Sequence, residues 1–583
     1  MNSMNRQRRK GRWKIFTFDA QTSNTANDEY GTSNGECQLP TGKCKFYRVT
    51  MRYSSALILM LCTLSLYGCG LDDPYQRHFE PEPFSQIAPM PLPEGRHLDT
   101  FEPTPAPLFA DPNDGQVTLT LEQCRAMALR NNLDIQTALI SPKITQAAVQ
   151  AEEAKFEAAF SGTVNYTKTD SPTPTLLNAS KEERTQTSLG VQMPLQTGGT
   201  LQFSMADYWS KTNNTFAILN PAYSSGFLTS ISQPLLRNAG RRNTLHSIRV
   251  ARYNRKIADV RTKLEIIRIL AEIERAYWHL YAAREVLTVR QQQYALAEAQ
   301  LERAKRFVQA GSHAPIEILR AEAGLATQIE AIILAENDTR IRQRELKQRL
   351  QQPDFLPDSP IRLRLETAPD PVYYDLEPAS LIRLAEENRT ELLEAELQLA
   401  RQVSTIDYLR NQALPLVNLD YTYTITGLGA TRSASYDMLG ENRFADQRLG
   451  VQVVVPLGNE AAKSRLLGAF YERAQILADK ESRRSLIEVE VLNAIDTLEA
   501  AWQRILAGRQ NTLLQARLYE AELRQFEVGQ RTSTDVLEAQ TQLADAQRAE
   551  IAALADYQIA LVDAAYATGT LLGASKIEFD TPP

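Results

Sequence analysis

Two carboxylates, Asp535 and Glu538, are close enough in the sequence to act together chemically. They are three residues apart in a segment with a helical pattern, so both can face the same side of a helix. Such a pair can attract cations, or it can be an ordinary solvated helix start, where acids suit the helix dipole. The sequence has no nucleophile–base set, no phosphate-binding loop and no metal-ligand spacing among its five histidines, which are His78, His97, His246, His279 and His313. We therefore predict no enzyme, no metal and no other cofactor.

A third chemically distinctive residue is Cys69, which follows a secretory signal. A positively charged start at Met51 precedes the apolar run 56–66, and the sequence Leu-Tyr-Gly-Cys then ends at Cys69. The run is short for a transmembrane helix, and its last four residues resemble the bacterial lipoprotein processing box. We expect residues 51–68 to be a cleaved signal peptide and Cys69 to carry lipid, with an uncleaved signal anchor as the alternative. Residues 1–50 are then expected to be a non-native upstream extension.

Composition narrows the class of protein further. A formal net charge of −6 argues against a nucleic-acid partner. After Cys69 the only cysteine is Cys124, so the exported chain is expected to have no intrachain disulfide. Ten prolines between residues 74 and 112 forbid helix there and favour an extended tether over 69–112.

The remainder of the chain is one pattern written twice, over residues 113–354 and 370–573. Each copy begins with a moderate helix, expected over 119–158 and 376–412. Strands follow, and a strand end that contains proline then leads into a very long helix. Those long helices are expected over 243–310 and 460–528. A glycine, Gly311 or Gly529, interrupts each of them, and a second moderate helix follows.

The long helices carry a seven-residue repeat. In the first copy its members are Ile273, Leu280, Leu287, Tyr294, Leu301 and Val308. In the second copy they are Val491, Leu498, Ile505, Tyr519 and Phe526, with Thr512 interrupting the series. An alanine seam three residues further on favours close coiled-coil packing. At 1.5 Å per residue each helix would be on the order of 100 Å long, which no compact globular core requires.

The strand segments alternate apolar and polar residues, as in Leu419, Tyr421, Tyr423 and Ile425 against the polar residues between them. This pattern fits the apolar-out, polar-in strands of an outer-membrane barrel, although a soluble sheet with one wet face would show it too. The secretory signal favours the membrane. Four strands per chain cannot close a barrel, so several copies must share one.

An additional hairpin at 187–207 has no counterpart in the second copy and disturbs this count. Two apolar–polar alternating runs flank a turn at Gly198-Gly199. The hairpin could be an elaboration of an outer loop or an added part of the barrel. We favour the loop.

At the two helix breaks, residues 526–538 and 307–317, the sequence resembles the TolC family of outer-membrane efflux proteins, and the resemblance covers about 113–573. It implies an α+β membrane protein, in which a homotrimer shares a 12-stranded β-barrel that continues into a long α-helical coiled-coil barrel through the periplasm. The implied function is a passive exit channel in the Gram-negative outer membrane. An inner-membrane pump would deliver small molecules or secreted substrates through a periplasmic adaptor. A lipid-anchored coiled-coil tether is the alternative, but it does not account for the strands.

The resemblance also implies roles for residues at the helix breaks. Asp535 and Glu538 match an acidic pair that lines the constriction, where six carboxylates from three copies should raise some of their pKa values. Phe526, Arg531 and Glu317 match a gate latch that holds neighbouring helices together. Each break has a glycine that matches an adaptor-docking position, and helix termination is the competing role of those glycines, Gly311 and Gly529.

Overall fold

The protein is represented by a computed structural model that describes residues 115–173, 175 and 178–575. Cys69, the signal at 51–68, the extension at 1–50 and the tether at 69–112 lie outside the described residues. In chain order the main elements are β1 (Gln116–Leu119), α1 (Leu121–Asn131), α2 (Leu133–Glu153), β2 (Ala159–Asp170), β3 (Lys181–Pro194), β4 (Thr200–Thr212), β5 (Ala222–Pro234), α3 (His246–Gln309), α4 (Ile316–Leu350), β6 (Arg362–Leu365), α5 (Pro378–Asn388), α6 (Thr390–Gln412), β7 (Leu416–Gly429), α7 (Arg432–Gly440), β8 (Ala445–Val454), α8 (Glu460–Glu527) and α9 (Ser533–Ala567).

The two very long helices predicted from the heptads are confirmed as α3, with 64 residues, and α8, with 68. The heptad residues Ile273 and Leu280 of α3 are fully buried, and Val491 and Leu498 of α8 are buried as well. The C-terminal half of α3, which ends just before Gly311, packs against α4 and α9. The N-terminal half packs against α2 and α6. Shorter helices therefore line α3 along its length.

The moderate helix that opens each copy is broken into two helices, where a single one was expected. In the first copy the break is at Asn132, whose backbone is extended and whose side chain accepts the N–H groups of Asp134 and Ile135. In the second copy it is at Arg389, also extended and largely buried. The Asn132 side chain satisfies N–H groups at the start of α2 that would otherwise be unpaired. This capping favours a separate second helix over one continuous helix.

A small parallel sheet, which the sequence did not indicate, joins the beginnings of the two copies. Strand β1 pairs with β6, from Gln116 opposite Arg362 to Leu119 opposite Leu365. It packs on the middle of α3, where the Tyr277 hydroxyl accepts the N–H of Thr367 at 3.0 Å. Both strands have only four residues, which is too short to leave a readable alternation.

The large sheet contains six antiparallel strands in the order β2-β3-β4-β5-β7-β8. Strands β3 and β4 contain the hairpin at 187–207, so its assignment to an outer-loop elaboration was wrong. The reason is visible in the register: β3 pairs with β2 from Lys181 to Gln192, and β4 pairs with β5 from Thr200 to Ser210. Both edges of the hairpin are thereby paired within the large sheet. Each chain contributes six strands to this sheet, where four were expected.

Within the described residues, no helix combines the length and the apolar composition needed to cross a membrane.

Candidate functional site

The large sheet has one apolar and one polar face across all six strands. One row of paired residues runs Leu189, Met205, Phe227, Ile425 and Ala445, from β3 to β8. The alternate residues form the polar face, with a row that runs Gln192, Gln202, Ser230, Thr422 and Arg448. Leu189, Met205 and, on the edge strand β2, Phe160 are exposed in the single chain. The sheet can thus separate an apolar medium from water.

Helix α7 lies on the apolar face at the end of the sheet that is remote from the long helices. The Ser225 hydroxyl of β5 donates to the Ser435 carbonyl at 3.0 Å, and Arg432 pairs with Asp207 of β4 at 2.9 Å. A Cβ on Gly427 of β7 would lie 2.0 Å from the Ser435 carbonyl oxygen, so this close approach requires glycine. One short helix therefore ties together β4, β5 and β7, including the seam between the two copies.

The two long helices end in the same way at Gly311 and Gly529. Both glycines have left-handed backbone, with φ of 72° and 76°. In each, the glycine N–H donates to the carbonyl three residues back, and the next N–H donates to the carbonyl five residues back. This is the Schellman helix ending, so helix termination, one of the two roles considered, is present at both. Both glycines are also exposed, with open space around the Cβ position. Together with the loops that follow them, we call these helix ends the tips.

An aromatic cluster connects the two tips within one chain. Phe526 of α8 is fully buried, with its ring centroid 6.0 Å from that of Phe307 of α3 and 5.1 Å from that of His313. The rings of Phe307 and His313 stack at 4.9 Å. The family resemblance implied a latch role for Phe526 and none for Phe307 or His313. The spacing of the two glycine breaks could have indicated that both tips meet, but not which side chains fill the space between them.

Glu317 forms a second link between the tips. Its side chain is buried, and Oε2 accepts the backbone N–H of Ser533 at 2.8 Å, at the start of α9. Oε1 accepts from Arg320 at 2.7 Å. Because Ser533 is in the first turn of α9, its N–H has no partner within that helix. Glu317, which belongs to the first repeat of the same chain, supplies the acceptor.

Arg531 is near these residues but has different partners. Its Nε lies 3.1 Å from Oε1 of Gln525 and 3.2 Å from Oε2 of Glu522, both on α8. None of the described ion pairs joins Arg531 to Glu317. The structure therefore brings Phe526 and Glu317 into one region that links the tips, and attaches Arg531 to the end of α8.

The acidic pair lies at the start of α9. Asp535 Oδ2 accepts the backbone N–H of Thr532 at 2.8 Å and its hydroxyl at 2.9 Å, as part of a capping box. These bonds, with a smaller effect of the charge on Arg531, hold the pKa of the Asp535 carboxyl below its ordinary value. Glu538 is exposed one turn further on. Asp535 thus caps its own helix, the alternative that its sequence position left open. The predicted rise in carboxylate pKa values needs the acidic pairs of further subunits close by, and it stays a prediction.

Comparisons with known proteins agree with this architecture. The family model described as outer membrane efflux protein matches residues 200–350 and 381–570, together more than half of the chain. The outer membrane efflux protein BepC of Brucella suis biovar 1 (strain 1330) is 24% identical over 303 residues, which is 51% of this chain. The match spans only 62% of the length of BepC.

Among solved structures, the CmeC outer membrane channel of Campylobacter jejuni is similar in fold, with a TM-score of 0.57 and 15% identity over 77% of this chain and 86% of CmeC. The MtrE outer membrane channel of Neisseria gonorrhoeae, in its open state, has a TM-score of 0.55 and 14% identity over 77% of this chain and 89% of MtrE. These likenesses confirm the α+β fold class that combines strands with long helices. By the match to the family model, the chain belongs to the outer membrane efflux protein family.

Proposed function

We propose that the chain is one subunit of a trimeric channel in the Gram-negative outer membrane, which gives passive exit to small molecules or secreted substrates. One observation carries this proposal: a six-stranded sheet with one apolar face is joined, in the same chain, to helices of 64 and 68 residues. The sheet suits a bilayer, and helices on the order of 100 Å long suit a duct that extends from it. The homotrimer is taken from the family resemblance.

Conductance tests the proposal. The purified chain, reconstituted in a planar bilayer, should give discrete and repeatable conductance steps, because a closed ring of sheets leaves a water-filled lumen. A lipid-anchored coiled-coil tether would leave the bilayer electrically silent. Silence from a protein that is folded by circular dichroism and oligomeric by native mass spectrometry would overturn the channel in favour of the tether.

The acidic pair Asp535 and Glu538 is proposed to line the narrowest part of the duct. Their position at the start of α9, close to the end of α8, supports this role. Replacing both with Asn and Gln should lower the preference of the channel for cations over chloride, because a carboxylate ring attracts cations. The matched control is Glu481→Gln, which removes an exposed acid of α8 that lies far from the tip. Selectivity equal to that of the control would exclude the pair from the constriction.

The exposed tips are proposed to receive a periplasmic adaptor, through which an inner-membrane pump supplies the substrate. Open space at Gly311 and Gly529 supports access by a partner. A photo-crosslinker at Ser312 or Val528, beside these glycines, should capture the adaptor in cells. A crosslinker at Leu477, an exposed position along α8, should not. Equal capture from all three positions would remove the tips as the docking site.

Cys69 is proposed to carry the lipid that attaches the mature chain to the membrane, with residues 69–112 as its tether. Metabolic labelling with a tritiated fatty acid should mark the wild-type chain, and Cys69→Ala should abolish the label. Labelling that persists in the variant would exclude this anchor. The sheet would still hold the protein in the bilayer, so channel activity of Cys69→Ala separates anchoring from conduction.

A further inference from the structure

Strands β3 and β4 have the dimensions of membrane-spanning strands. They contain 14 and 13 residues, comparable with the 14 residues of β7. A strand that crosses a bilayer at a tilt of about 45° needs about 9–11 residues. The extra hairpin is therefore long enough to cross the membrane twice, as the other strands do.

The apolar face continues through these two strands without interruption. A second row of paired residues runs Met193, Leu201, Ile231, Tyr421 and Leu449, and is apolar on every strand from β3 to β8. On the other face, Gln192 pairs with Gln202 between the two hairpin strands. A hairpin outside the membrane would have no need for one face that matches the lipid-facing residues of its neighbours.

The turn of the hairpin is fixed at the junction between the sheet and the helices. Thr197 accepts the N–H of Gly240 at 2.9 Å, and its hydroxyl donates to Gln233 at 2.8 Å. Gly198, with φ of 96°, approaches so closely that a Cβ there would lie 2.2 Å from the carbonyl oxygen of Asn238. The short turn 195–199 is thus at the helical end of the sheet, and the longer connection 213–221, between β4 and β5, is at the opposite end. Outer-membrane barrels have the same arrangement of short inner turns and longer outer loops.

The edges of the sheet fit a head-to-tail ring of copies. The edge strands are β2 and β8, and open edges are not tolerated in lipid. Neighbouring strands in the sheet are antiparallel, and the number of strands is even. The edge strand β8 of one subunit would therefore run antiparallel to the edge strand β2 of the next subunit. Their exposed apolar residues, such as Val164 on β2 and Val451 on β8, extend the apolar face across that junction.

We infer that β3 and β4 are wall strands of the barrel, which in a ring of three copies joined through β2 and β8 has eighteen strands. The count rests on the proposed trimer, since three copies of six strands make eighteen. With strands about 4.8 Å apart and tilted by about 40°, the backbone diameter is about 36 Å, against about 24 Å for twelve strands. The membrane part of this duct is therefore wide, and its narrowest point lies elsewhere.

Thiol labelling in the membrane tests whether the hairpin is in the wall. Single cysteines are placed in a Cys124→Ala background, in pairs that differ only in the face of the sheet. On the hairpin strands the polar-face variants are Gln192→Cys and Gln202→Cys, and the apolar-face variants are Val191→Cys and Phe203→Cys. The matched controls are on β7, one of the strands that the sequence already placed in the barrel wall. They are Thr422→Cys on the polar face and Tyr423→Cys on the apolar face. The probe is a charged, water-soluble maleimide added to the protein in vesicles.

We expect the polar-face cysteines to react with the maleimide from the lumen. The apolar-face cysteines should react at least roughly tenfold more slowly, because lipid excludes a charged reagent. The difference should equal that between the two β7 controls. Equal and rapid labelling of all four hairpin cysteines, with the β7 difference intact, would place the hairpin outside the membrane and overturn the inference.

A shortened variant gives an independent measurement. Removing residues 181–212 deletes β3 and β4 and brings β2 beside β5, still antiparallel. Cryo-electron microscopy of the wild-type ring should show eighteen strands in the membrane, and the variant should show twelve in a narrower ring. A wild-type trimer with twelve strands would refute this inference alone. Failure to find any closed ring would refute the proposed channel itself, so the two failures are distinguishable.

Discussion

Replacement of Phe526 by Ala tests whether the aromatic cluster holds the two tips together. The Phe526 ring is fully buried and lies against Phe307 of α3 and His313 of the first tip. The substitution removes the ring without adding a polar group or altering the helix ending at Gly529. Its main consequence should be a cavity between the ends of α3 and α8.

The size of the effect follows from the burial of the ring. Truncating a fully buried Phe to Ala costs about 3–5 kcal/mol, from lost transfer free energy and the cavity left behind. If the tip opens locally, this corresponds to roughly a hundredfold to a few thousandfold increase in the open population. The effect should be confined to the tip, because the buried clusters around Ile273 and Leu498 are far from it along the helices.

Hydrogen exchange measured by mass spectrometry reads this population peptide by peptide. In Phe526→Ala, peptides that cover 303–320 and 520–535 should lose protection by that factor, or entirely if the tip is less stable than the loss. Peptides from the middle of α3 should not change. The control is Val528→Ala, two residues away and 69% exposed, for which a change within about 0.5 kcal/mol is expected. Protection in Phe526→Ala equal to that of the control would refute the role of the cluster.

Three further predictions concern stability and pH. Gly427→Ala should destabilise the chain by about 1–3 kcal/mol in thermal unfolding, because its Cβ meets the backbone of α7, whereas Gly450→Ala, which meets open space, should be nearly neutral; equal effects would contradict the contact. Arg389→Ala should cost about 3–5 kcal/mol, because the buried guanidinium pairs with two glutamates at 2.8 Å. Arg484→Ala, which breaks an exposed ion pair, should leave the melting temperature nearly unchanged, and similar melting temperatures of the two variants would contradict this. Because the pKa of Asp535 is lowered, its helix cap contributes full stability at pH values above the ordinary carboxyl pKa. That stability is lost as the pH falls through the lowered pKa. Hydrogen-exchange protection of the first turn of α9 should therefore persist in mild acid and fall only in strong acid.

Regular and repeated features of the fold were accessible from the sequence. The great length of α3 and α8 follows from heptads that persist over nine or more turns, and the position of their last residues follows from the glycines at which they end. The strand faces follow from the alternation of Leu419, Tyr421, Tyr423 and Ile425, since a period of two has one geometric meaning.

Features that depend on contacts distant in sequence were not accessible. The break at Arg389 is stabilised by Glu490, about a hundred residues away, and the sheet of β1 and β6 joins two four-residue strands. The hairpin had the correct alternation, but its place in the sheet depends on pairing with β2 and β5, which alternation alone does not specify. At the tip, motif position suggested one latch of Phe526, Arg531 and Glu317. The pairing of Arg531 with Glu522 depends on local side-chain geometry.

An electron-microscopy reconstruction of the full-length protein extracted from outer membranes shows whether several copies of this chain enclose one channel. We expect a three-fold particle with one lumen that continues from the strands into the bundle of α3 and α8 helices. A particle in which each chain is separate, or in which the strands form no closed ring around a lumen, would contradict it.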